Sequence, residues 1–440
     1  MNPGSICLSL YGTTEEICEG VAASSEADLF EIRMDLSAPL ECARIRSATF
    51  KPLIFAAPEK PELLRHAARF ANYLDVDGQL LSGPKYIVSI HASEEDPEKL
   101  WERLAGEHQT KIVLETNDYS KISRLLQLNR KHHPKAICFA MGEVGAFSRI
   151  LSIFQGAPWL YASLPERVTA PGQFLLQELV HIYRIKRFDS EPRVFGIVGN
   201  PVAHSKSPEF HNRAFAEHSL PWIYLPFLCH DLRSLFHHAP DFGVMGFSIT
   251  HPYKEEVLAL LDEVSQEARR LRSCNTVCLK NGRWLGTNTD VVGAEKMLKE
   301  GEIPLAGASV AILGAGGAAR AIASVVRKHA RELVILNRTV SKASDLASEF
   351  ECRGGGLEEI GKLAYDVLFQ ATSIGLKEGE SPIDPETLRA GSTVIDVIYE
   401  PAETLLLKKA RDIGCKTVNG RVWFEAQAQA QFDWWKRRVT

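Results

Sequence analysis

The chain has 440 residues, 45% of them hydrophobic and 24% charged, with a formal net charge of -4. That is an ordinary folded composition with ample core, and it has no basic excess to suit nucleic acid or an anionic membrane. Single hydrophobic cores stop growing at roughly 250–300 residues, so two or three domains are expected. Nine scattered cysteines without a C-x-x-C pair indicate neither a disulfide framework nor a zinc site, and they suit a reducing cytoplasm. No metal is expected. The opening MNPGSICLSLYG carries no basic leader, and no run approaches the ~18 apolar residues of a membrane span.

In chain order, the first 190 residues hold eight short apolar or β-branched runs: ICLSL, LFEIRM, PLIFA, YLDV, YIVSI, KIVLE, AICFA and WLYASL. Most precede a segment with helical character, as DYSKISRLLQLNRKH does after the sixth. Eight strand-helix units in series predict a (β/α)8 barrel over residues 1–190, although a doubly wound sheet gives the same alternation. The charged, proline-bearing IKRFDSEPR then marks a boundary before a new strand, VFGIVGN. The α/β pattern continues, proline-interrupted to about Gly301 and followed by ASVAILGAGGAARAIASVV. No internal repeat or low-complexity stretch interrupts it.

Polar residues at the ends of the barrel runs need explaining. EIRMD closes the second run with Glu31, Arg33 and Asp35, which alternation places on one face. VSIH closes the fifth with His91, Lys111 opens the sixth, and MGEVGAFSRI follows the seventh with Arg149. RVTAPGQ, beyond the eighth, offers Thr169 and Gln173. A lysine at a strand edge ordinarily snorkels to water. The alternative is a poorly hydrated pocket, where its pKa falls and the neutral amine can attack a carbonyl. His91 alone reads as structural, but a histidine and a lysine on adjacent strands, ringed by an acid and two arginines, read as a site.

Further along, VAILGAGGAARAIASVV is a strand, a glycine turn and a helix, with Gly314, Gly316 and Ala319 in G-x-G-x-x-A spacing. The turn Gly314, Ala315, Gly316, Gly317, Ala318 is the expected pyrophosphate cradle. The next strand ends at Leu336, where an NAD enzyme places an acid for the ribose hydroxyls. Here Asn337, Arg338 and Thr339 follow, with Lys342 beyond. Two cations and no carboxylate suit a ribose 2'-phosphate, so NADP is favoured over NAD.

Ahead of that unit, GNPVAHSKSPEFHN sets Ser205 and Ser207 before a helix starting near Pro208, where hydroxyls and free N-H groups suit a substrate carboxylate. FSITHPYKEEV ends a strand at Thr250 and places Lys254 after a proline turn, while CNTV and GTNTDVVG supply Asn275 and Asp290. Singly, each could be turn chemistry. Together GNPVAHSKSP, T-x-P-Y-K, CNT, NTD, GAGGAAR, NRT, ATSIG and GxxxxxxQA resemble the shikimate dehydrogenases over nearly all of residues 193–440. The resemblance implies NADP-dependent reduction of 3-dehydroshikimate to shikimate, with Lys254 and Asp290 as the catalytic pair. Ser205, Ser207, Thr250, Asn275, Tyr399 and Gln427 would hold the substrate, and Thr372 of ATSIG would join the cofactor site. An ammonium hydrogen-bonded to a carboxylate is a suitable proton donor to the alkoxide that hydride transfer leaves. Thr287 stands where the family usually has an acid, and Gln370 where it has an asparagine.

In the first half, the order E-x-R-x-D, S-x-H, K-I, M-G-x-x-G-x-x-S-R, A-P-G-Q resembles type I 3-dehydroquinate dehydratases across most of residues 5–180. This implies an imine between Lys111 and the ketone of 3-dehydroquinate, with His91 removing a neighbouring proton and then protonating the departing hydroxyl. By the same resemblance Glu31 would orient His91 and a substrate hydroxyl, Arg33 would contact substrate, and Arg149, Thr169 and Gln173 would bind its carboxylate beneath a lid. One departure stands out: the family's arginine after the third strand is replaced by Pro58 in FAAPEK, so either Lys60, Arg65 or another cation substitutes or the dehydratase half is slow or inactive. With Lys111, His91 and Glu31 all present, an active enzyme is expected. The expected architecture is therefore an N-terminal (β/α)8 barrel over 1–190, followed by a two-lobed α/β dehydrogenase. Its shikimate-binding domain spans 191–300, completed by 406–440, and its Rossmann NADP-binding domain spans 301–405. The competing readings are a non-catalytic barrel serving as a binding or scaffolding module, and a C-terminal half acting on quinate with NAD.

Overall fold

The computed structural model describes residues 4–58, 60–77 and 86–439, and the chain divides into two compact units, Met1–Met245 and Gly246–Thr440. In the first unit the strands are Ile6–Leu10 (β1), Leu29–Arg33 (β2), Leu53–Ala56 (β3), Tyr73–Asp77 (β4), Tyr86–Ser93 (β5), Gln109–Glu115 (β6), Ala136–Met141 (β7) and Leu160–Ala162 (β8). They form one parallel sheet in the order β7-β6-β5-β4-β3-β2-β1-β8. Because β1 to β6 each pair with the next strand in sequence and β8 lies beside β1, the sheet curls round on itself as a (β/α)8 barrel. A doubly wound sheet would instead reverse its strand order partway. Among the described residues no ladder joins β7 to β8, and the helix Ala146–Phe154 packs on both strands at that seam.

Inward-facing positions separate by depth along each strand. Nearer the strand starts, Cys7, Leu29, Ile54, Ile87, Ile137 and Trp159 belong to one apolar cluster. The inward positions that follow at period two are Ser9, Glu31 and Arg33, Asp75, His91, and Lys111. The floor is thus dry, and the polar groups crowd toward the carboxyl ends of the strands, where barrels of this kind build their sites. The outer helices start at local caps: Asp118 accepts from Ser120 N at the head of Tyr119–Lys131, and Thr13 and Glu16 form a capping box on Thr14–Ala23. The first unit also contains Arg193–Gly199 (β9), the helix Ser207–Glu217 and Trp222–Leu228 (β10), a parallel β-α-β element.

In the second unit Val244–Ile249 (β11), Glu263–Val264 (β12), Thr276–Lys280 (β13) and Arg283–Thr287 (β14) lie in the order β11-β13-β14-β12, with β13 antiparallel to both neighbours. Ser309–Leu313 (β15), Glu332–Leu336 (β16), Arg353–Gly355 (β17), Val367–Gln370 (β18), Thr393–Asp396 (β19) and Lys416–Val418 (β20) form a second, parallel sheet. Its order, β17-β16-β15-β18-β19-β20, is the 3-2-1-4-5-6 arrangement of a dinucleotide-binding sheet. Alternate β15 residues serve the two faces: Val310 and Ile312 enter one core, Ala311 and Leu313 the other. The last helix, Arg421–Val439, packs against Asp290–Glu300 at Gly293, where an added Cβ would lie 2.9 Å from Trp423 O. Trp435 Nε1 anchors that helix to Val277 O at 2.9 Å.

Candidate active sites

Ser9, Glu31, Arg33, His91, Lys111, Arg149, Tyr161, Thr169 and Gln173 line one pocket at the mouth of the barrel. All seven barrel positions assigned a role from the sequence, Glu31, Arg33, His91, Lys111, Arg149, Thr169 and Gln173, meet there. Lys111 does not snorkel: it is 7% exposed, with Nζ 2.8 Å from Asp75 Oδ2, 3.7 Å from Glu31 Oε1 and 4.7 Å from the Tyr161 ring centroid. Burial alone pulls its pKa down, but the charges of Asp75 and Glu31 outweigh burial and leave it raised. The magnitudes agree. At an effective dielectric of about 20, each carboxylate at these distances attracts an ammonium by roughly 4–6 kcal/mol, against a desolvation penalty of several kcal/mol. The expectation of a lysine neutralised by its pocket is therefore corrected: Lys111 rests as an ammonium.

His91 moves the other way. Its ring keeps an exposed edge at the mouth, yet loss of water around it, and then the Lys111 charge, hold its pKa well below the ordinary histidine value. It is a neutral base at pH 7. Glu31 Oε2 accepts from Ser9 Oγ at 2.7 Å while Oε1 faces Lys111. Among the described residues no hydrogen bond joins Glu31 to His91, although both line the same pocket. Arg33 makes a two-point ion pair with Asp35, Nε to Oδ1 at 3.0 Å and Nη2 to Oδ2 at 2.6 Å.

Arg149 is 3% exposed and lies over the Phe139 ring, with Nη2 donating to Pro171 O at 3.1 Å. Its Nε has no partner among the described residues, and burial lowers its pKa to about 10. It remains a cation at neutral pH with a donor to spare, which suits an anion. Thr169 Oγ1 donates to Gln173 Oε1 at 2.7 Å. Between them Gly172, at φ +69, backs onto Gly142 so closely that a Cβ would lie 2.6 Å from Gly142 O. Lys60 and Arg65 are exposed and stand outside the pocket lining. Neither replaces the arginine absent at Pro58.

The residue that sequence reasoning missed is Asp75. It is 0% exposed, and its Oδ1 has no hydrogen-bond partner among the described residues. Its signal was present as a lone acid inside the apolar run YLDV.

In the second unit, Lys254 Nζ donates to Asp290 Oδ2 at 2.5 Å, and Asp290 Oδ1 accepts from Asn275 Nδ2 at 2.9 Å. Asn275 is a node: its Nδ2 also reaches Thr289 Oγ1 at 3.0 Å and Gln427 Oε1 at 3.4 Å, while its Oδ1 accepts from Thr289 N at 2.8 Å. Gln431, one turn beyond Gln427, accepts from Ser248 Oγ at 2.7 Å and donates to Asn275 O at 2.9 Å. Four side chains thus tie β11, the Asn275 turn and the last helix together. Thr250 is half-buried at the end of β11, and Tyr399 stacks on Phe424 with centroids 4.4 Å apart. Ser205 and Ser207 lie in the first unit, where Ser205 Oγ accepts from Ser207 N at 3.2 Å as the helix Ser207–Glu217 begins.

Gly314 takes φ +112, and an added Cβ would lie 2.8 Å from Ala371 O, so only glycine fits the turn. At Gly316 a Cβ would meet nothing within 4 Å, an open cradle at the start of the helix Gly317–Val326, with Ala315 and Ala318 part-buried beside it. Arg338 and Lys342 are exposed and, among the described residues, carry no ion pair. Asn337 Nδ2 donates to Thr339 O at 3.0 Å and shapes that turn. These groups fit a pyrophosphate and a ribose 2'-phosphate. A Cβ on Gly317 would lie 2.9 Å from Lys254 Cδ, so the lysine stem rests on the nucleotide turn.

The two departures have local explanations. Gln370 Oε1 accepts from Thr372 N at 2.5 Å and its Nε2 donates to Ile374 O at 2.9 Å, holding the ATSIG loop. Thr287 Oγ1 pairs with Ser265 Oγ at 3.0 Å, a neutral contact where an acid would carry charge.

Comparison with known proteins matches the family models "Type I 3-dehydroquinase" over residues 6–189, "Shikimate dehydrogenase substrate binding domain" over 197–277 and "Shikimate / quinate 5-dehydrogenase" over 294–376. The chain is 31% identical to the chloroplastic bifunctional 3-dehydroquinate dehydratase/shikimate dehydrogenase of Arabidopsis thaliana, over 98% of this chain and 82% of that protein. It is 39% identical to the NADP(+) shikimate dehydrogenase of Pyrococcus abyssi over 55% of this chain and 92% of that protein. A crystal structure of a shikimate dehydrogenase in complex with NADP+ superposes with a TM-score of 0.53, at 34% identity over 57% of this chain and 92% of that one. No helix among the described residues is long and apolar enough to cross a membrane. Two chemically distinct sites and a relative spanning both halves lead to one conclusion: this chain belongs to the family of bifunctional 3-dehydroquinate dehydratase/shikimate dehydrogenases.

Proposed function

We propose that the barrel, residues 1–190, converts 3-dehydroquinate to 3-dehydroshikimate through an imine on Lys111. The dehydrogenase half, 191–440, then reduces that product to shikimate with NADPH. The observation that carries the first step is Lys111 buried between two carboxylates, with neutral His91 in the same pocket. Once the imine forms, its positive charge acidifies the adjacent C-H. His91 takes that proton and gives one to the departing hydroxyl, and water then releases the enone from the lysine. Arg149 holds the substrate carboxylate, with Thr169 and Gln173 on the closing loop.

The second step rests on Lys254 lying against the nucleotide turn while paired with Asp290. NADPH, when bound, supplies the hydride. Lys254 gives a proton to the oxygen that becomes the new alcohol, and Asp290 holds the ammonium in place. Thr250, Asn275, Tyr399 and Gln427 orient the ring hydroxyls, and Ser205 and Ser207 are assigned the carboxylate by resemblance. Gly314 to Ala318 and Thr372 cradle the cofactor, and Asn337, Arg338, Thr339 and Lys342 read its 2'-phosphate. Residues 191–300 with 406–440 form the shikimate-binding domain and 301–405 the NADP-binding domain. A reducing cytoplasm is the proposed setting, in keeping with nine scattered cysteines that form no C-x-x-C pair.

Incubation with 3-dehydroquinate and borohydride tests the barrel. Peptide mass spectrometry is expected to find a reduced adduct on Lys111, alongside enone absorbance without borohydride. Absence of both from the wild-type chain refutes the dehydratase reading in favour of a non-catalytic barrel.

A further inference from the structure

The dehydratase reading leaves one proton unaccounted for, because Lys111 rests as an ammonium and only the neutral amine can attack a ketone. Its proton needs an acceptor within reach of an ammonium that is only 7% exposed. Two carboxylates stand near, and they are not equivalent. Glu31 lies 3.7 Å from Nζ, and its other oxygen already accepts from Ser9 Oγ at 2.7 Å. Asp75 lies 2.8 Å from Nζ in direct hydrogen-bond contact, its side chain is fully buried, and its Oδ1 is without a partner among the described residues. Asp75 is the carboxylate placed to take the proton, because it already accepts a hydrogen bond from Nζ and no rearrangement is needed for transfer. The other ionisable groups facing the lysine are Arg33, His91, Cys7 and Tyr161. The first is a cation and His91 is engaged with the substrate's carbon, while burial holds the Cys7 thiol and the Tyr161 phenol in their protonated forms.

Resting on that dehydratase reading, we propose that Asp75 is the acid-base partner of Lys111 in imine formation. Asp75 Oδ2 takes a proton from the ammonium, and the amine forms the N-C bond as the carbonyl π pair moves to oxygen. That oxygen takes one proton from the attacking nitrogen, which gives a neutral carbinolamine. Asp75 then returns its proton to the hydroxyl as the C-O bond breaks, water leaves, and the nitrogen lone pair closes the C=N bond. Three ammonium hydrogens become two on water and one on the iminium, and Asp75 ends as the carboxylate facing a cation. The pocket's net charge is the same before and after, so no charge is stranded in a dry site.

Asp75→Asn keeps the shape and removes the proton acceptor. Single-turnover imine formation, read by rapid-quench borohydride trapping on Lys111, is expected to fall by roughly 10²-fold or more. Asp75→Glu is expected to recover part of it, and NADPH-dependent shikimate dehydrogenase turnover together with the thermal melt reports an intact chain. The pH profile separates chemistry from packing. Wild-type trapping is expected to be flat from pH 7 to 9, because the proton moves within the ion pair. In the Asn variant it should rise about tenfold per pH unit as solvent takes over. An Asn variant trapped as fast as wild type overturns the proposal and leaves the dehydratase reading standing. Should that variant not fold, a wild-type trapping rate that climbs tenfold per pH unit overturns it equally. No adduct in wild type at any pH instead defeats the dehydratase reading itself.

Discussion

Asp290 holds Lys254 by one oxygen, at 2.5 Å, and Asn275 by the other, at 2.9 Å. The carboxylate is 3% exposed, so it holds the ammonium in one direction, and neither residue can be altered without releasing the other. Lys254→Met and Asp290→Asn are each expected to lower shikimate dehydrogenase kcat by roughly 10²–10⁴-fold. The double variant should lose little more, because the pair acts as one device. Steady-state NADPH oxidation checks this, and additive losses would contradict it.

His91 sets the acid limit of the dehydratase. An ordinary histidine loses its basic form as pH falls through about 6.5. Here the folded pKa lies lower, so the base persists further into acid. The acid limb of kcat/KM for 3-dehydroquinate is expected below pH 6, and His91→Ala should abolish dehydration while leaving NADPH oxidation intact. An acid limb at 6.5 would contradict the assigned environment.

Arg338 and Lys342 stand exposed after β16 and carry no ion pair among the described residues. Removing a charge-assisted contact to the 2'-phosphate costs about 1.5–3 kcal/mol, so Arg338→Ala should raise KM for NADPH by roughly ten- to hundredfold. KM for NADH should be unchanged. Equal losses for both cofactors would place the arginine elsewhere in function.

Asp396, at the end of β19, accepts from Ile398 N at 3.0 Å and from Thr404 Oγ1 at 2.8 Å, yet burial lifts its pKa to about 6. The unfolded carboxyl titrates near 3.9, so the unfolded chain releases its proton first and stability is lost as pH rises between about 4 and 6. Asp396→Asn removes that dependence. Its stability relative to wild type is expected to grow by about 2–3 kcal/mol from pH 4 to pH 7, read from paired thermal melts. A difference independent of pH would refute it.

The eight barrel strands were legible because each is a short apolar run; Glu31 and Arg33 were legible because inward positions recur at period two, and Arg149, Thr169 and Gln173 because their motifs follow the seventh and eighth runs. Two things were not legible. Asp75 sat unnoticed in YLDV, since its inward direction depends on a register, Asp75 with Ala56 and Ile87, that only the paired sheet fixes. The charge state of Lys111 was hidden for the same reason: its nearest carboxylates lie on β2 and β4, and β6 itself carries no hint of them. In the second half the motif spacing located Lys254, Asp290 and Asn275, while Gln431 and Ser248 escaped because a glutamine on a long helix without a clear apolar stripe reads as surface until that helix is docked. Gln370 shows the reverse: what reads as a departure in sequence makes the loop-holding bonds its position requires.

The contact between Gly317 and the Lys254 stem has a consequence for variation at the glycine turn. A methyl at Gly317 would press on Lys254 Cδ and on Ser273 Oγ, at 2.9 and 3.0 Å. The third glycine of GAGG is therefore constrained by the neighbouring proton donor. An alanine there should leave NADPH affinity nearly intact and slow the reduction, a phenotype that would be misassigned to cofactor binding if the motif were read as a phosphate cradle alone.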